Sequence, residues 1–283
     1  MIGIGHIGVG TMAKGRMAKL LERDDEKSVY DKPQRALALA YVKGMTPIKT
    51  RDHGEIKRGL TWNAHPGVGE YFVCNALTTS GECDIMIFEA IPGGPADKLD
   101  MRVGPEQYLK DCLEVLEKYF PDEAERCKNI ELTDDLAILT GRFPPTIRKP
   151  VMQLPGGGLA MGIADAVCLN DPITGQGSCN ASKFAKVVYD AVLNQGHESF
   201  DSDWMQGVFN SYWQQAEAVV RWTNHLLDGP GPAASKLLMA AGDNQDVADF
   251  LLRGMDDANR LMPYFFDEAA ADELIAHLTL KAA

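Results

Sequence analysis

One segment of this 283-residue sequence, residues 162–182, combines glycines, an acid and amides in a pattern suited to binding a planar, electron-rich group. It reads GIADAVCLNDPITGQGSCNAS, an apolar run that contains Asp165, followed by D-P-x-x-G-Q-G-x-x-N. Asp165, at the end of an expected strand, can accept a hydrogen bond from a sugar-like hydroxyl. Gly175 and Gly177 let the backbone approach a flat ring without an intervening Cβ. A reduced flavin has such a ring and carries a ribityl chain.

The second half of this segment is predicted to begin a helix that runs from about Ser178 to Asn194. The unpaired N–H groups and positive dipole end of such a helix stabilise negative charge, and reduced flavin is an anion. For Asp171, turn formation in Asn-Asp-Pro and a flavin role stay equally open. The candidate cofactor-binding residues are Asp165, Pro172, Gly175, Gln176, Gly177, Ser178 and Asn180.

Upstream of this segment, the sequence predicts an antiparallel sheet followed by helices. Alternating apolar residues between Gly, Pro and Asn turns predict strands at 35–42, 59–63, 70–77 and 84–90. Pro105 is expected to begin a helix to about residue 117, and a short helix follows from Pro121. Residues 130–139 are expected to form a returning strand, and the charged stretch 14–27 a short helix.

Downstream, Phe143-Pro144-Pro145 is a stiff corner that marks a boundary, since each proline fixes its own φ and restricts the residue before it. The small apolar residues of 159–167 predict a continuous buried strand. Helical spacing of apolar residues predicts a helical carboxy-terminal region. Its expected helices span 203–227, 233–239, 245–255 and 272–280.

Composition excludes several classes of function. Acidic residues outnumber basic ones 40 to 28, giving a formal charge of −12 and a pI near 5.0, so the surface repels nucleic acid and anionic lipid. The six cysteines form no C-x-x-C pair and none has histidine at metal-ligand spacing, so reduced thiols and no metal are expected. The absence of a signal-like or membrane-spanning segment predicts a cytoplasmic location.

Three separated motifs carry a family resemblance: Asp31-Lys32-Pro33-Gln34-Arg35-Ala36-Leu37, Asn170-Asp171-Pro172-Ile173-Thr174-Gly175-Gln176-Gly177, and Arg221-Trp222-Thr223-Asn224. They resemble the oxygenase component of two-component styrene and indole monooxygenases. The likeness runs from about Lys14 to the end of the chain. The central motif also looks like the carboxy-terminal flavin motif of flavoprotein aromatic monooxygenases.

The resemblance implies an enzyme that takes reduced FAD from a separate NADH-dependent flavin reductase and epoxidises styrene-like or indole-like double bonds with O₂. No side chain is assigned a catalytic role, because the flavin hydroperoxide carries the chemistry. The protein's share is to exclude water and orient an apolar substrate. The candidate pocket residues are Phe143, Pro144, Pro145 and Trp222; for Trp222, core packing is the alternative.

The fold class that the resemblance implies is α+β and α/β. It combines an antiparallel substrate-binding sheet with a partial Rossmann-type, glutathione-reductase-like FAD-binding domain and carboxy-terminal helices. The expected organisation is a remnant of an amino-terminal FAD-binding region at 1–31, a substrate-binding sheet domain at 32–145, a carboxy-terminal FAD-binding segment at 146–200 and a helical region at 201–283.

The sequence departs from the family at two places. Gly3, Gly5 and Gly8 spell G-x-G-x-x-G, but too few residues precede them for a strand, so most of the amino-terminal Rossmann part is expected to be missing. That absence predicts an exposed sheet edge, with weak stability, self-association (a homodimer as one form) or dependence on a partner chain, and it predicts weaker FAD binding. Ala164 stands where the family usually has glycine, and it is strained if its φ is positive.

Two alternative functions remain at this point. The chain could be a non-catalytic, ligand-binding or partner-dependent fragment of such an enzyme, which the expected missing half favours. It could instead be a single-component aromatic hydroxylase, although no NAD(P)H site is recognisable in the sequence. Detectable FAD binding and alkene oxidation separate these readings.

Overall fold

The computed structural model describes residues 20–50, 54–56, 59–142 and 144–281. The chain divides into two compact units, each considered by itself. The first, the sheet unit, comprises Lys32–Phe143. The second, the loop-and-helix unit, comprises the described residues up to Asp31 together with those from Pro144 onward.

The sheet unit is built on a six-stranded antiparallel sheet. Its strands are β1 (Ala36–Lys43), β4 (Thr61–His65), β5 (Gly69–Thr78), β6 (Gly81–Ala90), β7 (Glu131–Leu132) and β8 (Ile138–Gly141). The order is β4-β5-β6-β1-β7, and β8 also pairs with β1. Two further short strands, β2 (Ile48–Thr50) and β3 (Gly54–Ile56), form a separate hairpin. Two helices complete the unit, α1 (Pro105–Tyr119) and α2 (Pro121–Arg126).

One face of the sheet packs against α1 because both surfaces are apolar at matching spacings. Alternate residues of β1, Ala38, Ala40 and Val42, are buried in one cluster with the helix. The helix contributes Tyr108, Cys112, Val115 and Leu116, which share one side at helical spacing. The Tyr108 hydroxyl donates a hydrogen bond to the Leu39 carbonyl oxygen at 3.2 Å. The helix therefore covers this face and orders the sheet.

The opposite face of the sheet is also apolar. Residues paired across antiparallel strands point to the same side, and Ile87 pairs with both Leu39 and Phe72. The Trp62 ring stacks on Phe72 with centroids 5.5 Å apart, and Leu139 pairs with Leu39. We call these five residues the apolar sheet face. Four of them are half-buried and Leu139 is 40% exposed, unlike the buried residues under α1.

The loop-and-helix unit combines two short antiparallel strand pairs with six helices among its described residues. The pairs are β9 (Thr146–Ile147) with β12 (Cys168–Leu169), and β10 (Val151–Gln153) with β11 (Leu159–Met161). The helices are α3 (Gly177–Gln195), α4 (Ser202–Leu227), α5 (Gly231–Asp243), α6 (Gln245–Gly254), α7 (Ala258–Phe266) and α8 (Glu268–Lys281). Phe184 of α3 and Tyr212 of α4 stack in parallel, with centroids 4.0 Å apart, at the centre of its core.

Most expected elements are confirmed, including the four sheet strands, α1, α2, α3 and α4. The expected continuous strand at 159–167 is wrong, because β11 ends at Met161 and a 3₁₀ turn follows. The returning strand at 130–139 is divided into β7 and β8. Residues 21–27 form bends and turns rather than the expected helix, while residues 14–19 lie outside the described part. Gly3, Gly5 and Gly8 also lie outside it.

No helix among the described residues is both long enough and apolar enough to cross a membrane. The longest, α4, has 26 residues, but polar and charged side chains occur along its whole length.

Candidate functional site

The candidate segment follows β11 and contains two 3₁₀ turns, the first before β12 and the second between β12 and the long helix α3. After β11, the first turn spans Ala164–Ala166 and carries Asp165, which is half-buried. The second turn spans Pro172–Thr174 and leads directly into α3. Asp165 therefore lies on a turn, not at the end of a long strand, and β12 separates it in the chain from the other predicted cofactor residues.

The second turn is held by hydrogen bonds within the loop. The buried Asp171 carboxylate accepts the Ile173 N–H at 3.0 Å, so the turn role expected for this residue is present. The Gly175 N–H donates to the Pro172 carbonyl at 2.8 Å, with Gly175 in the left-handed region at φ 65°. No heavy atom lies within 4 Å of a Cβ built on Gly175 or Gly177. Both glycines thus border open space.

The amino-terminal end of α3 presents its amide groups without a side-chain cap. Gln176 occupies the N-cap position, its side chain makes no capping hydrogen bond, and no acidic residue stands in the first turn. Helices usually satisfy these N–H groups with Ser, Thr, Asp or Asn at the cap. The uncapped positive end of a 19-residue helix is suited to an anionic ligand group.

Two buried amide side chains at this helix end have polar atoms without partners among the described residues. Gln176 and Asn180 are only 4% and 3% exposed. The Gln176 Oε1 and Asn180 Nδ2 atoms make no hydrogen bond. A buried unsatisfied polar atom costs about 1–3 kcal/mol, so native proteins rarely keep two side by side without a ligand or water. An acceptor and a donor are therefore available for a ligand with both kinds of group.

Asp165 lies in electrostatic range of a buried hydroxyl and a buried thiol. Burial, followed by its contact with Cys168, raises the pKa of Tyr212 well above its usual value, and Asp165 adds to this shift. Burial likewise raises the pKa of Cys168 to about 11. Both groups are therefore neutral at physiological pH.

The structure joins two of the three sequence motifs through one hydrogen bond. The Thr174 and Thr223 hydroxyl oxygens are 2.8 Å apart, and both residues are buried. Thr174 belongs to the loop motif, and Thr223 belongs to the Arg-Trp-Thr-Asn motif on α4. The sequence left a flavin-side or pocket-side role for Thr223 open beside core packing, but it did not indicate this contact. The recurrence of Tyr212, Ala216, Val219 and Thr223 on one helical side was the available signal.

The predicted pocket residues that the structure describes have different surroundings. Pro145 lines a narrow cleft with Asn224, whose Oδ1 is buried without a partner among the described residues. Pro144 precedes it and accepts the Thr146 hydroxyl through its carbonyl oxygen at 2.9 Å. Trp222 is buried instead against Phe265, at a centroid distance of 5.5 Å. Its pocket role stays a prediction beside a clear packing role, and Phe143 lies outside the described residues.

The sheet unit shows what the first motif does structurally. Arg35 is buried and forms an ion pair with the buried Glu70, and its guanidinium also donates to the Glu89 carbonyl at 3.1 Å. Burial raises the pKa of Glu70, while the charge of Arg35 opposes that shift. Sequence reasoning did not identify this pair, because its members are 35 residues apart and look like ordinary surface charges.

Ala164 occupies the left-handed region at φ 54°, the only such non-glycine residue in the described part. We expect Ala164→Gly to raise the free energy of unfolding by up to about 1 kcal/mol, because alanine is strained there. The matched control is Ala166→Gly in the same buried turn, which has no positive φ and should lose stability by about 1 kcal/mol. Urea denaturation measures both, and equal losses in the two variants would refute the strain.

Comparison with known proteins agrees with the motifs. Residues 13–126 match the family described as styrene monooxygenase A putative substrate binding domain. The chain is 27% identical over 247 residues to styrene monooxygenase StyA of Pseudomonas fluorescens, an alignment that covers 83% of this chain and 57% of the relative. The chain thus spans a little over half the length of that curated relative. The expected resemblance to styrene monooxygenase oxygenases is confirmed.

Solved structures show the same fold. A triple mutant of the flavin-dependent brominase Bmp2 superposes with a TM-score of 0.61 at 13% identity, covering 97% of this chain and 62% of its own. A flavoprotein/dehydrogenase from Cytophaga hutchinsonii superposes with a TM-score of 0.56 at 14% identity, covering 95% and 59%. The expected mixed α and β class, with an antiparallel sheet and carboxy-terminal helices, is confirmed.

Proposed function

We propose that this chain, similar to styrene monooxygenase oxygenases over most of its length, acts as a flavin-dependent monooxygenase. The observation that carries the proposal is the end of α3: two bare glycines beside open space, an uncapped helix, and the unpartnered Gln176 and Asn180 amides. An isoalloxazine ring offers a flat face, carbonyl acceptors and an N–H donor, which match these features in kind. The resemblance supplies the choice of flavin over other planar anions.

The residues of the loop have separate roles in this proposal. Gly175 and Gly177 would lie against the ring, and the first-turn amides with Asn180 would stabilise its negative charge. Gln176 Oε1 would accept an N–H from the ring edge. Asp165 would accept a ribityl hydroxyl. Bound FAD in its reduced form would activate O₂ and supply the transferred oxygen atom, so the protein itself needs no acid or base for the transfer.

The apolar sheet face is the proposed substrate wall. It offers Trp62, Phe72 and Ile87 without a charged side chain among its five members, a surface suited to an aromatic alkene or indole. Such a wall would bind an aromatic substrate by removing its apolar surface from water. The family that matches residues 13–126, named for a putative substrate-binding domain, supports this assignment.

The proposed partner is a separate NADH-dependent flavin reductase that supplies reduced FAD. The decisive experiment mixes the purified chain with FAD, NADH, a flavin reductase, O₂ and either styrene or indole. Styrene oxide or indigo formed in proportion to the chain supports the proposal. FAD binding that yields only hydrogen peroxide would favour a non-catalytic ligand-binding protein. No spectral change on titration with oxidised or reduced FAD would reject the flavin site itself.

Bound FAD is expected to protect Cys179 from alkylation. Cys179 is the third residue of α3 and the only exposed cysteine of the six, whereas Cys74 is half-buried and the other four are buried. A saturating concentration of FAD should slow the reaction of Cys179 with iodoacetamide at least about tenfold, because only the small fraction of the chain without bound FAD can react. Mass spectrometry of the labelled peptides measures the rate, with Cys74 as the internal control. Equal rates with and without FAD would place the cofactor elsewhere.

A further inference from the structure

The proposed flavin loop is hydrogen-bonded to helix α4 directly before the first of its two glycines. Thr174 is the last residue of the second 3₁₀ turn, and Gly175 and the N-cap Gln176 follow it directly. The direction of the bare amides at the start of α3 therefore depends on where Thr174 is held. The Thr223 hydroxyl, 2.8 Å from that of Thr174, is the side-chain contact that holds it.

Burial makes this contact difficult to replace. Thr174 is 3% exposed and Thr223 is fully buried, so neither hydroxyl can turn to bulk water if the other is removed. Burying a hydroxyl without a partner is unfavourable. Chains that keep both hydroxyls or lack both are therefore stable at this position, and chains that lack only one of them are destabilised.

Helix α4 is a suitable support for such a contact. It is a single 26-residue helix, and Asp201 caps its start by accepting the Trp204 N–H at 2.8 Å. Eleven residues before Thr223, about 16 Å along the helix axis, Tyr212 is buried beside Cys168 and stacked on Phe184 of α3. The same helix side thus contacts the candidate segment at two points, Cys168 and Thr174.

We propose that Thr223 is a positioning residue, which fixes the cofactor loop through Thr174 and sets the geometry of the Gly175–Ser178 amides. The inference rests on the proposed flavin function, since the loop is positioned for that ligand. Thr223 touches no cofactor in this assignment and acts through Thr174 alone. The Arg-Trp-Thr-Asn motif thereby has a role in flavin binding although Thr223 lies 49 residues downstream of Thr174.

The test compares Thr223→Val, which keeps the shape of the side chain and removes the hydroxyl, with Thr223→Ser, which keeps the hydroxyl. Hydrogen–deuterium exchange of the peptide covering 172–180 is measured without flavin. Thr223→Val should speed exchange there roughly tenfold, as expected when about 1.4 kcal/mol of local stability is lost. Thr223→Ser should stay within about twofold of the parent chain, within the ordinary context-dependence of hydroxyl hydrogen bonds.

The double variant Thr174→Val/Thr223→Val supplies the discriminating result. Removing both hydroxyls leaves no unsatisfied group, so exchange should return towards the parent rate. Thr146→Val, which removes another buried hydroxyl in the same unit, controls for a general loss of stability. Unchanged exchange at 172–180 in Thr223→Val, or equal increases in Thr146→Val, would overturn the positioning role.

Flavin titration of the same variants separates this inference from the proposed function. If the parent chain binds FAD, Thr223→Val should weaken binding roughly tenfold, and Thr223→Ser should restore it. If the parent chain produces no spectral change with FAD, the proposed function fails, while the exchange results still decide whether Thr223 positions the loop. Parent-like FAD affinity in Thr223→Val would reject its connection to the cofactor.

Discussion

Arg35→Met is expected to lower the free energy of unfolding by about 3–5 kcal/mol, the loss typical of leaving one buried charge without its partner. The side chains of Arg35 and Glu70 are only 4% and 9% exposed, so water cannot replace the guanidinium. The Glu89 carbonyl loses a donor as well. Urea denaturation followed by circular dichroism measures the change. A loss below about 1 kcal/mol would mean that the pair behaves as a surface ion pair.

The pH dependence of this variant distinguishes a buried carboxylate from a general packing defect. Burial already raises the pKa of Glu70 above its usual value, and Arg35 limits that rise. Without Arg35 the pKa of Glu70 rises further, so the folded state binds its proton more tightly than the unfolded state. The stability that this difference contributes is then present at pH values below the unfolded-state pKa of Glu70, and it is lost as pH rises through the higher folded-state pKa. Arg35→Met should therefore recover stability on acidification from about pH 7 to about pH 5, where protonation relieves the buried charge.

Two control variants accompany Arg35→Met. Arg35→Met/Glu70→Leu removes both charges, and it should recover most of the lost stability, since apolar pairs can replace buried ion pairs. Arg102→Met breaks an exposed ion pair with Asp100 in the same unit and should leave stability nearly unchanged. An equal loss in the double variant would assign the effect to the alkyl packing of Arg35 rather than to charge.

The sheet unit follows from its sequence because its signals are local. Alternation of apolar residues marks β1, β5 and β6, and the proline-initiated α1 has a continuous apolar side. The Arg35–Glu70 pair is not local, since strand pairing brings Glu70 beside Glu89 and only then within reach of Arg35. Pairing register is a tertiary property, so no count of residue types could have identified this contact.

The candidate segment was harder to predict for a different reason. Its apolar run looks like a buried strand, but Ala164 adopts a left-handed conformation that ends extended structure at the first turn. Gly162 is buried so tightly that an added Cβ would lie 2.6 Å from Leu21. Helix α7 was not predicted because Pro263 lies inside it, and proline is normally read as a helix terminator. A left-handed alanine, a tightly packed glycine and a proline inside a helix thus account for these errors.

Motif spacing nevertheless brought four of the candidate residues together at the start of α3. Gly175, Gln176, Gly177 and Asn180 are consecutive or one turn apart, so any turn leading into a helix brings them together. What spacing could not show is which polar atoms remain unpartnered after folding. The burial of Gln176 and Asn180, both polar and at the end of an uncapped helix, is the structural observation that makes this motif a candidate site.

Gly177→Leu is expected to weaken FAD binding by on the order of 100-fold or more while leaving the fold intact, because a clash of several kcal/mol acts only in the complex. Gly177 is the first residue of α3, has no positive φ, and meets no heavy atom within 4 Å of a built Cβ. A side chain there enters the space assigned to the isoalloxazine, and leucine is a better helix former than glycine. Gly207→Leu, on the exposed side of α4 with equal open space, is the matched control. Fluorescence quenching of FAD measures affinity and thermal unfolding measures stability. Equal affinities for the two variants would show that the flavin does not lie against this loop.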